Sequence, residues 1–461
     1  MSSVPAEIPY ASTNPADGRC VATFDSLDAA GIEHCLATAT QAFEAWRATP
    51  AAQRAEALSR IADNLLANKQ ELAELATMEM GKPLAQALAE VEKCAGICRH
   101  YATHGVAMLA SASVPMPTGK ASVRLLPLGP VLAIMPWNFP YLQIVRFIAP
   151  ALLGGNVGVV KPAPSVPQCS RALERVIQHA GVPQGVCQVA FMRTADIAQV
   201  IADPRIAAVT LTGSERAGQA VAATAGHALK KCVLELGGSD AFVVMPSADL
   251  QQAARLAVQA RIANNGQSCV CAKRFIVHEA VYAAFRDQFV AAMRDVRMGD
   301  PRLAEVQLGP LFSERGRTDL HAQVQAAKAQ GANVLVGGKW PSGPGYFYPA
   351  TVLADIPAQA PTRREELFGP VAMLFKVGSL QEAIDVSNET PFGLGSAIWT
   401  GDPGEAETYI EQAQAGITAV NALVASDARL PFGGVKRSGY GRELSSAGLL
   451  EFLNMKSVIG V

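Results

Sequence analysis

A cysteine that follows a glycine and two polar residues is the first candidate for chemistry. In the run Gly266-Gln267-Ser268-Cys269, the cysteine comes shortly after an amphipathic stretch for which Asp249 is a plausible N-cap. Asn264-Asn265-Gly266 should end that helix, so Cys269 is expected on irregular backbone that can face a cleft. An accessible thiol with a lowered pKa is a nucleophile. The alternative is a small core residue, and this motif alone does not decide between the two.

A glutamate inside an apolar, strand-like run is the second candidate. Glu235 follows Cys232, Val233 and Leu234 and precedes Leu236. Burial of a carboxylate is costly unless it is paired, protonated or functional, and partial burial raises its pKa. Such a group is suited to take a proton from water near neutral pH. The alternative is a glutamate at a strand end that points to solvent.

An asparagine held between two prolines is the third candidate. Asn138 lies in Pro136-Trp137-Asn138-Phe139-Pro140, directly after the apolar run Val131–Met135. Ligands of parallel sheets bind beyond the carboxyl ends of the strands, and the prolines restrict the turn. The Asn138 amide can donate a hydrogen bond to a developing oxyanion, and the backbone N–H of the nucleophile can supply a second. The alternative is a structural Asx turn.

A short glycine-containing turn is the fourth candidate. Thr212-Gly213-Ser214 follows the apolar run Ala207–Leu211 and opens a predicted helix. Glycine permits close backbone approach, and the first N–H groups of a helix can hold a phosphate. The full dinucleotide fingerprint and a P-loop are both absent from this sequence, so the turn by itself only suggests phosphate binding.

The elements that must position these residues alternate between apolar strands and amphipathic helices. Helical spacing is seen over Leu27 to Trp46 and over roughly Arg54 to Met80. Continuous apolar runs then alternate with helical patterns, which is typical of a parallel sheet covered on both faces. These runs are Val131–Met135, Val157–Val160, Val186–Ala190, Ala207–Leu211 and Ala241–Met245. A second α/β block is predicted from about Asp249 to Lys436, and Ser111 to Pro127 is a candidate for a protruding hairpin.

Composition argues against several classes of partner. Among 461 residues, 39 Lys plus Arg nearly balance 40 Asp plus Glu, so nothing in the charge favours nucleic acid or an anionic membrane. The sequence has no apolar run of bilayer length and no visible signal peptide, so we expect a cytoplasmic protein. The nine cysteines are scattered, and none of them indicates a disulfide framework or a metal site.

Together these motifs closely resemble the aldehyde dehydrogenase superfamily, from about Asn14-Pro15 to Lys456. The most specific matches are Pro136-Trp137-Asn138-Phe139-Pro140, Glu235-Leu236-Gly237-Gly238, Gly266-Gln267-Ser268-Cys269, Glu366-Leu367-Phe368-Gly369-Pro370 and Pro431-Phe432-Gly433-Gly434-Val435-Lys436-Arg437-Ser438-Gly439. The resemblance implies an α/β fold with two parallel-sheet domains, one for the cofactor and one for catalysis, plus a small β oligomerisation arm. It assigns residues 1–110 and 128–236 to NAD(P) binding, 237–436 to catalysis, and 111–127 with 437–461 to the arm.

The resemblance also implies a mechanism. Cys269 attacks the carbon of an aldehyde, and Asn138 with the Cys269 N–H stabilises the oxyanion. A hydride then passes to NAD or NADP and leaves a thioester on Cys269. Glu235 activates the water that hydrolyses this thioester. Homodimers or homotetramers are usual in the family. The residues that the resemblance places around the cofactor are Trp137, Lys161, Gly213, Ser214, Glu366 and Phe368.

Two positions depart from the family pattern. Pro164 replaces the glutamate that usually binds the adenosine ribose, which makes use of NADP plausible and leaves the choice between NAD and NADP open. Phe147 stands where many relatives have a lysine, so a proton relay through that lysine is absent here.

Within the family, the chain most resembles the succinate-semialdehyde dehydrogenases, particularly the shorter bacterial type. The resemblance implies that Arg146 pairs with a substrate carboxylate, that Ser426 lines the substrate mouth and that Cys271 is a possible redox switch toward Cys269. The alternatives are a surface or interface arginine at 146 and a small apolar wall residue at 271. Against the assignment, Ala263 stands where the mammalian-type enzymes carry a second arginine.

Other functions remain as alternatives. One alternative is an aldehyde dehydrogenase for another aliphatic or aromatic aldehyde. A second is a catalytically retired structural homologue, which would have lost Cys269, Glu235 or Asn138, yet all three are present. A CoA-acylating relative usually lacks the glutamate at 235. A cofactor-free thiol esterase would be excluded by tight binding of NAD or NADP.

Overall fold

Two short paired strands begin the described chain, four helices follow them, and strands and helices alternate thereafter. The computed structural model describes residues 10–117 and 119–460. Its helices are α1 (Ala29–Ala48), α2 (Ala51–Ala67), α3 (Lys69–Met80), α4 (Leu84–Met108), α5 (Leu142–Leu153), α6 (Pro167–His179), α7 (Ile197–Ala202), α8 (Glu215–His227), α9 (Leu250–Ile262), α10 (Glu279–Arg294), α11 (Glu314–Ala329), α12 (Leu380–Asn388), α13 (Pro403–Gln412) and α14 (Ser445–Leu450). Among the described residues, none of the helices has both the length and the apolar character needed to cross a bilayer.

The strands follow in the same chain order. They are β1 (Tyr10–Asn14), β2 (Arg19–Phe24), β3 (Ala112–Pro115), β4 (Lys120–Pro127), β5 (Pro130–Ile134), β6 (Val157–Lys161), β7 (Cys187–Val189), β8 (Ala208–Thr212), β9 (Lys231–Glu235), β10 (Asp240–Val244), β11 (Ala272–His278), β12 (Asn333–Val336), β13 (Thr351–Ala354), β14 (Val371–Val377), β15 (Gly395–Trp399), β16 (Ile417–Val420), β17 (Gly439–Tyr440) and β18 (Leu453–Ile459).

The predicted elements are present, with their ends shifted. The strand predicted at Val131–Met135 begins and ends one residue earlier, and the one predicted at Ala207–Leu211 begins and ends one residue later. The helix predicted over Arg54 to Met80 is two helices, α2 and α3. They separate at Asn68, whose side chain donates a hydrogen bond to the Asn64 carbonyl at 2.8 Å and so competes with continued helix.

The first large sheet has the strand order β17-β9-β8-β5-β6-β7. All its pairings are parallel except the one between β17 and β9. Its central strands are buried along their whole length, as continuous apolar runs require when helices cover both faces. Gly439–Tyr440, which the sequence grouped with the arm, form the antiparallel edge strand of this sheet.

The second large sheet has the order β12-β13-β14-β11-β10-β15-β16. It is parallel except for the outer pair β12 and β13. Two apolar clusters cover its two faces, one centred on Ile276 and Met373 and the other on Phe275 and Trp399. The two parallel-sheet units expected from the sequence are therefore present, and each has its own core.

The third sheet is the predicted protruding hairpin. β3 and β4 pair antiparallel, and β18 adds to β4 over Ala121–Pro127. Several apolar side chains on this sheet are exposed, including Met455 at 64% and Ile459 at 77%. Exposed apolar side chains on a small sheet are suited to pack against another protein surface.

Candidate active site

The side chains expected to do chemistry follow the carboxyl ends of the strands in the first sheet. Asn138 comes after β5, Lys161 is the last residue of β6, Ser214 comes after β8 and Glu235 is the last residue of β9. Because β5, β6, β8 and β9 are parallel, these ends lie along one edge of the sheet.

Cys269 is positioned by a loop that two asparagines and a glycine hold in place. α9 ends at Ile262, and Asn264 and Asn265 both have left-handed backbone, with φ of 55° and 58°. Asn265 Nδ2 donates to the carbonyl oxygens of Gly81 and Pro310 at 2.8 and 2.9 Å. The predicted helix end is therefore confirmed, and it delivers Cys269 to irregular backbone.

Two cavities have Cys269 in their walls. The first has a volume of about 280 Å³ and is bounded by the loops that follow β5, β8 and β9. The second has a volume of about 260 Å³ and is bounded by α4, α5, α9 and the segment 423–426. Gln143 on α5 is the other residue that lines both. The Cys269 thiol therefore borders two cavities that different elements of the fold enclose.

The first cavity collects most of the residues that the resemblance assigns to the cofactor. Its lining includes Trp137, Gly213, Ser214, Glu366 and Phe368, together with Asn138 and Cys269. Trp137 stacks on Phe312 with a centroid separation of 3.4 Å, and Phe368 meets Trp137 edge-on at 5.8 Å. These rings form an apolar wall that suits a flat aromatic group.

The polar parts of this cavity fit a dinucleotide. Ser214 caps α8 by accepting the N–H of Ala217, so the first turn of that helix presents N–H groups without intrahelical partners. The hydroxyl oxygen of Thr212 is buried in the cavity wall without a hydrogen-bond partner among the described residues. Both features are places for the polar atoms of a bound phosphate or ribose.

Glu366 is held in the cavity by two partners. Its Oε1 accepts the N–H of Gly238 at 3.0 Å and lies 3.5 Å from Nζ of Lys273. Burial raises the pKa of Glu366, against the Lys273 ammonium and the Gly238 N–H, which lower it. Lys273 also donates to the carbonyl oxygens of Ser268 and Cys269 at 2.8 and 2.6 Å. This lysine therefore links the cysteine loop to Glu366.

Lys161 lies apart from the lining of this cavity. It is buried at the end of β6, with its ammonium 5.7 Å from the centroid of the Tyr10 ring, and burial lowers its pKa to about 8. The carbonyl of Pro164 accepts the N–H of Ala11 at 2.9 Å. The role of Lys161 at an adenosine ribose stays a prediction.

The second cavity collects the residues predicted to meet the substrate. Arg146, Ser426, Cys271 and Cys269 all line it. Cys271 is buried, and its thiol lies 3.3 Å from the carbonyl oxygen of Ala263. All nine cysteines are free, so the structure describes the reduced protein, and the redox role of Cys271 stays a prediction.

Arg146 is buried in the cavity wall, which excludes the surface alternative for this arginine. Its Nη2 lies 2.7 Å from Oε2 of Glu443, and its guanidinium carbon lies 4.2 Å from the centroid of the Phe432 ring. Its Nε is buried without a hydrogen-bond partner among the described residues. Glu443 therefore offsets the charge of Arg146, while the guanidinium still has donor capacity.

The oxyanion candidates lie beside Cys269. Asn138 is buried, and its Nδ2 donates to the carbonyl oxygen of Gln267 at 3.0 Å. The carbonyl of Asn138 accepts a hydrogen bond from Nδ2 of Asn264 at 2.8 Å. These bonds fix Asn138 against the cysteine loop and leave one of its two amide protons for another acceptor.

The thiol of Cys269 is poorly ionised in this environment. Burial raises its pKa to about 12, and the positive charges of Arg146 and Lys273 act in the opposite direction. A thiolate is the nucleophilic form, so the reaction needs further stabilisation of negative charge at this sulfur.

Glu235 is buried at the end of β9, which excludes the solvent-facing alternative. Neither carboxylate oxygen has a hydrogen-bond partner among the described residues, and Glu235 is absent from the linings of both cavities. A Cβ placed on Gly433 would lie 2.6 Å from Oε1, so the side chain is directed toward that glycine. Burial, and then the charge of Glu443, raise the pKa of Glu235 well above its ordinary value.

Three residues of the site were missed in the sequence. Lys93 on α4 and Gln143 on α5 line the second cavity, and Lys273 on β11 links Cys269 to Glu366. Gln143 and Lys273 are almost fully buried, and a polar residue within an apolar run was an available signal for both. Lys93 has no such signal, because a lysine on an amphipathic helix normally faces water.

Comparison with known proteins identifies the family. The aldehyde dehydrogenase family model matches residues 4–458. The chain is 48% identical to a succinate-semialdehyde dehydrogenase NADP(+) 1 of Mycobacterium tuberculosis, over 98% of this chain and 99% of that enzyme. It is 46% identical to a probable succinate-semialdehyde dehydrogenase NADP(+) of Synechocystis, over 97% and 99%.

A solved structure agrees. The succinic semialdehyde dehydrogenase of Streptococcus pyogenes, in complex with NADP+ as the cofactor, has 35% identity and a TM-score of 0.96, covering 97% of this chain and 99% of that chain. With the family motifs placed around two cavities that share one cysteine, the chain belongs to the aldehyde dehydrogenase family.

Proposed function

We propose that this protein oxidises succinate semialdehyde to succinate, with NADP+ as the cofactor and a thioester on Cys269 as the intermediate. The observation that carries the proposal is the position of Cys269 between a cavity suited to a dinucleotide and a cavity that contains a buried arginine. The relatives named for this activity, at 46% and 48% identity over nearly the whole chain, support it.

The cofactor would occupy the first cavity. The first turn of α8, capped by Ser214, would hold a phosphate, Glu366 would accept a ribose hydroxyl, and Trp137 and Phe368 would enclose the aromatic end. When bound there, NADP+ would be the oxidant, because it would accept a hydride from the carbon attached to Cys269. The names of the relatives favour NADP over NAD, as does the absence of a carboxylate at Pro164.

Cys269 would form the bond to the aldehyde carbon. Its thiol proton must leave first, and the charges of Arg146 and Lys273 favour the thiolate against the effect of burial. Asn138 Nδ2 and the Cys269 backbone N–H would then stabilise the oxyanion that forms on the former carbonyl oxygen.

Glu235 would activate the water that hydrolyses the thioester. In the orientation of the structure its Oε1 lies beside Gly433 and it lines neither cavity, so this role requires the side chain to rotate toward Cys269. A carboxyl with a raised pKa is suited to both keep and release a proton near neutral pH.

The second cavity would hold the rest of the substrate. Arg146 and Ser426 offer hydrogen-bond donors, while Phe139, Leu142 and Phe432 supply apolar walls around the short carbon chain.

The arm would join copies of the chain. We propose that its exposed apolar strand residues pair with another copy, as in the homodimers or homotetramers expected for the family, and that residues 111–127 and 437–461 form the oligomerisation arm. Residues 1–110 and 128–236 would then form the cofactor domain, and residues 237–436 the catalytic domain.

The test is a comparison of initial rates with NADP+ and NAD+ for succinate semialdehyde, glutarate semialdehyde, butanal and benzaldehyde. We expect kcat/KM for succinate semialdehyde with NADP+ to exceed that for butanal by about tenfold or more, since a charged contact is worth roughly 1.5–3 kcal/mol. A higher kcat/KM for butanal or benzaldehyde would refute the substrate assignment.

A further inference from the structure

Lys93 brings a second positive charge to the substrate cavity. It lies on the face of α4 that lines this space, together with Gln86, Ala89 and Glu90. Lys93 is half-buried, and no hydrogen bond or ion pair to its ammonium is found in residues 10–117 and 119–460. A cation that lines a largely apolar cavity without a protein partner is ready to meet an anion.

The acidic residues of the same cavity bond to groups other than Lys93. Glu90 forms an ion pair with Lys82 and accepts the N–H groups of Tyr141 and Leu142 at 2.9 and 3.0 Å. Asp240 Oδ1 accepts the N–H of Gly395 at 3.1 Å, and its Oδ2 has no hydrogen-bond partner among the described residues. Neither carboxylate is bonded to Lys93, so the Lys93 amine is open to a ligand that enters the cavity.

Arg146 makes the binding of an anion in the substrate cavity more favourable. Burial lowers the pKa of Lys93 most, the Arg146 guanidinium lowers it further, and Asp427 and Glu90 act in the opposite direction. The two cations are therefore close enough to repel each other. An anion bound between them relieves that repulsion, in a cavity that the apolar rings of Phe139 and Phe432 also line.

We propose that Lys93 binds the carboxylate of the substrate and that, with Arg146, it determines the preference for an aldehyde that carries a carboxylate at its far end. Arg146 forms an ion pair with Glu443, whereas Lys93 forms no ion pair with a carboxylate among the described residues. The aldehyde end then lies at Cys269, which lines the same cavity. The proposal rests on the proposed function and adds a specificity-determining residue to it.

The test compares Lys93→Met, which keeps the length and removes the charge, with Lys93→Arg, which keeps the charge. Lys69→Met is the matched control, because Lys69 is a partly exposed lysine that pairs with Glu92 at 2.8 Å and lines neither cavity. We expect Lys93→Met to raise KM for succinate semialdehyde by about tenfold or more and to leave kcat/KM for butanal unchanged. Lys93→Arg should recover most of the loss, and Lys69→Met should behave as the wild type.

Two results would overturn the role of Lys93: a Lys93→Met enzyme with the wild-type KM for succinate semialdehyde, or an equal loss with both aldehydes. Thermal unfolding of each variant checks the fold, and Lys93→Met should unfold at or above the wild-type temperature, because it loses no hydrogen bond or ion pair found among the described residues and no longer repels Arg146. Failure of the proposed function is seen separately, since the wild-type enzyme would then prefer butanal before any variant is made.

Discussion

The two cavities that meet at Cys269 are built in different ways. The first is formed by turns that follow β5, β8 and β9, and its residues come from short continuous motifs. The second is formed by one face of α4, one face of α5 and a loop before β17, and its residues are scattered along the chain. The first space is thus made mainly of strand ends, and the second of helix faces.

The two cavities therefore differ in which of their features a single substitution can change. Turns at strand ends depend on backbone geometry, as where a Cβ on Gly237 would lie 2.4 Å from Oε2 of Glu366. Single side chains such as Lys93, Arg146 and Ser426 set the charge of the second cavity. We infer that the first cavity maintains the chemistry common to the family and that the second selects the aldehyde.

The largest expected effect comes from a substitution at Cys269, the cysteine that lines both cavities. Cys269→Ala should abolish oxidation, with a loss of about a thousandfold or more, because Cys269 is the one thiol among the described residues that lines both cavities, whereas Cys271 lines only the second. Binding of NADP+ should be kept, since the first cavity stays intact. Cofactor binding is measured by fluorescence titration, and oxidation at the wild-type rate would rule out the thioester route.

The next effect concerns stability on the substrate side. Arg146→Met leaves Glu443 buried without its cation, so we expect a loss of roughly 3 kcal/mol in the free energy of unfolding. The double variant Arg146→Met with Glu443→Gln should recover most of that loss, because both charges are then removed. Urea denaturation measures both, and an unaltered stability in the single variant would show that the ion pair contributes nothing.

A third effect follows from the raised pKa of Cys269. Because burial raises that pKa to about 12, the thiolate fraction increases as the pH rises toward it. The rate of alkylation of Cys269 by iodoacetamide should rise about tenfold per pH unit between roughly pH 7 and pH 9. Peptide mapping assigns the modified residue, and a plateau below about pH 8 would contradict the effect of burial.

The smallest effect concerns the cofactor side. Glu366→Gln removes the carboxylate that accepts the Gly238 N–H and faces Lys273. We expect about tenfold weaker binding of NADP+, with KM for succinate semialdehyde unchanged, because a hydrogen bond to a charged group is worth roughly 1.5–3 kcal/mol. An equal change in both constants would show that Glu366 acts on the whole site.

The sequence predicted the strand-end cavity well. Asn138, Ser214 and Glu366 lie in contiguous motifs, and the end of α9 before Cys269 follows from turn residues. The locations of Asn138 and Ser214 are local information, because each follows the strand beside it, whereas Glu366 lies in the loop before β14 and was found by resemblance. Lys161 is the exception in this set, since it lies outside the cavity lining.

The helix-face cavity was predicted less completely. Arg146 and Ser426 were found by resemblance, but their partners depend on tertiary contacts between distant segments, as in the ion pair of Arg146 with Glu443. The helical period of α4 indicates a buried face without showing that part of it borders a cavity. The orientation of Glu235 toward Gly433 depends in the same way on a distant glycine.

The most direct test of the account is to trap the acyl group on the enzyme. Glu235→Gln, mixed with succinate semialdehyde and NADP+, should release one burst of NADPH equal to the number of active sites and then stall, since the base for hydrolysis is missing. Mass spectrometry of the stalled protein should find a succinyl group on the peptide that contains Cys269, and on Cys269 itself. Steady turnover without a burst, or a stalled enzyme without an acyl group on Cys269, would contradict the proposed mechanism.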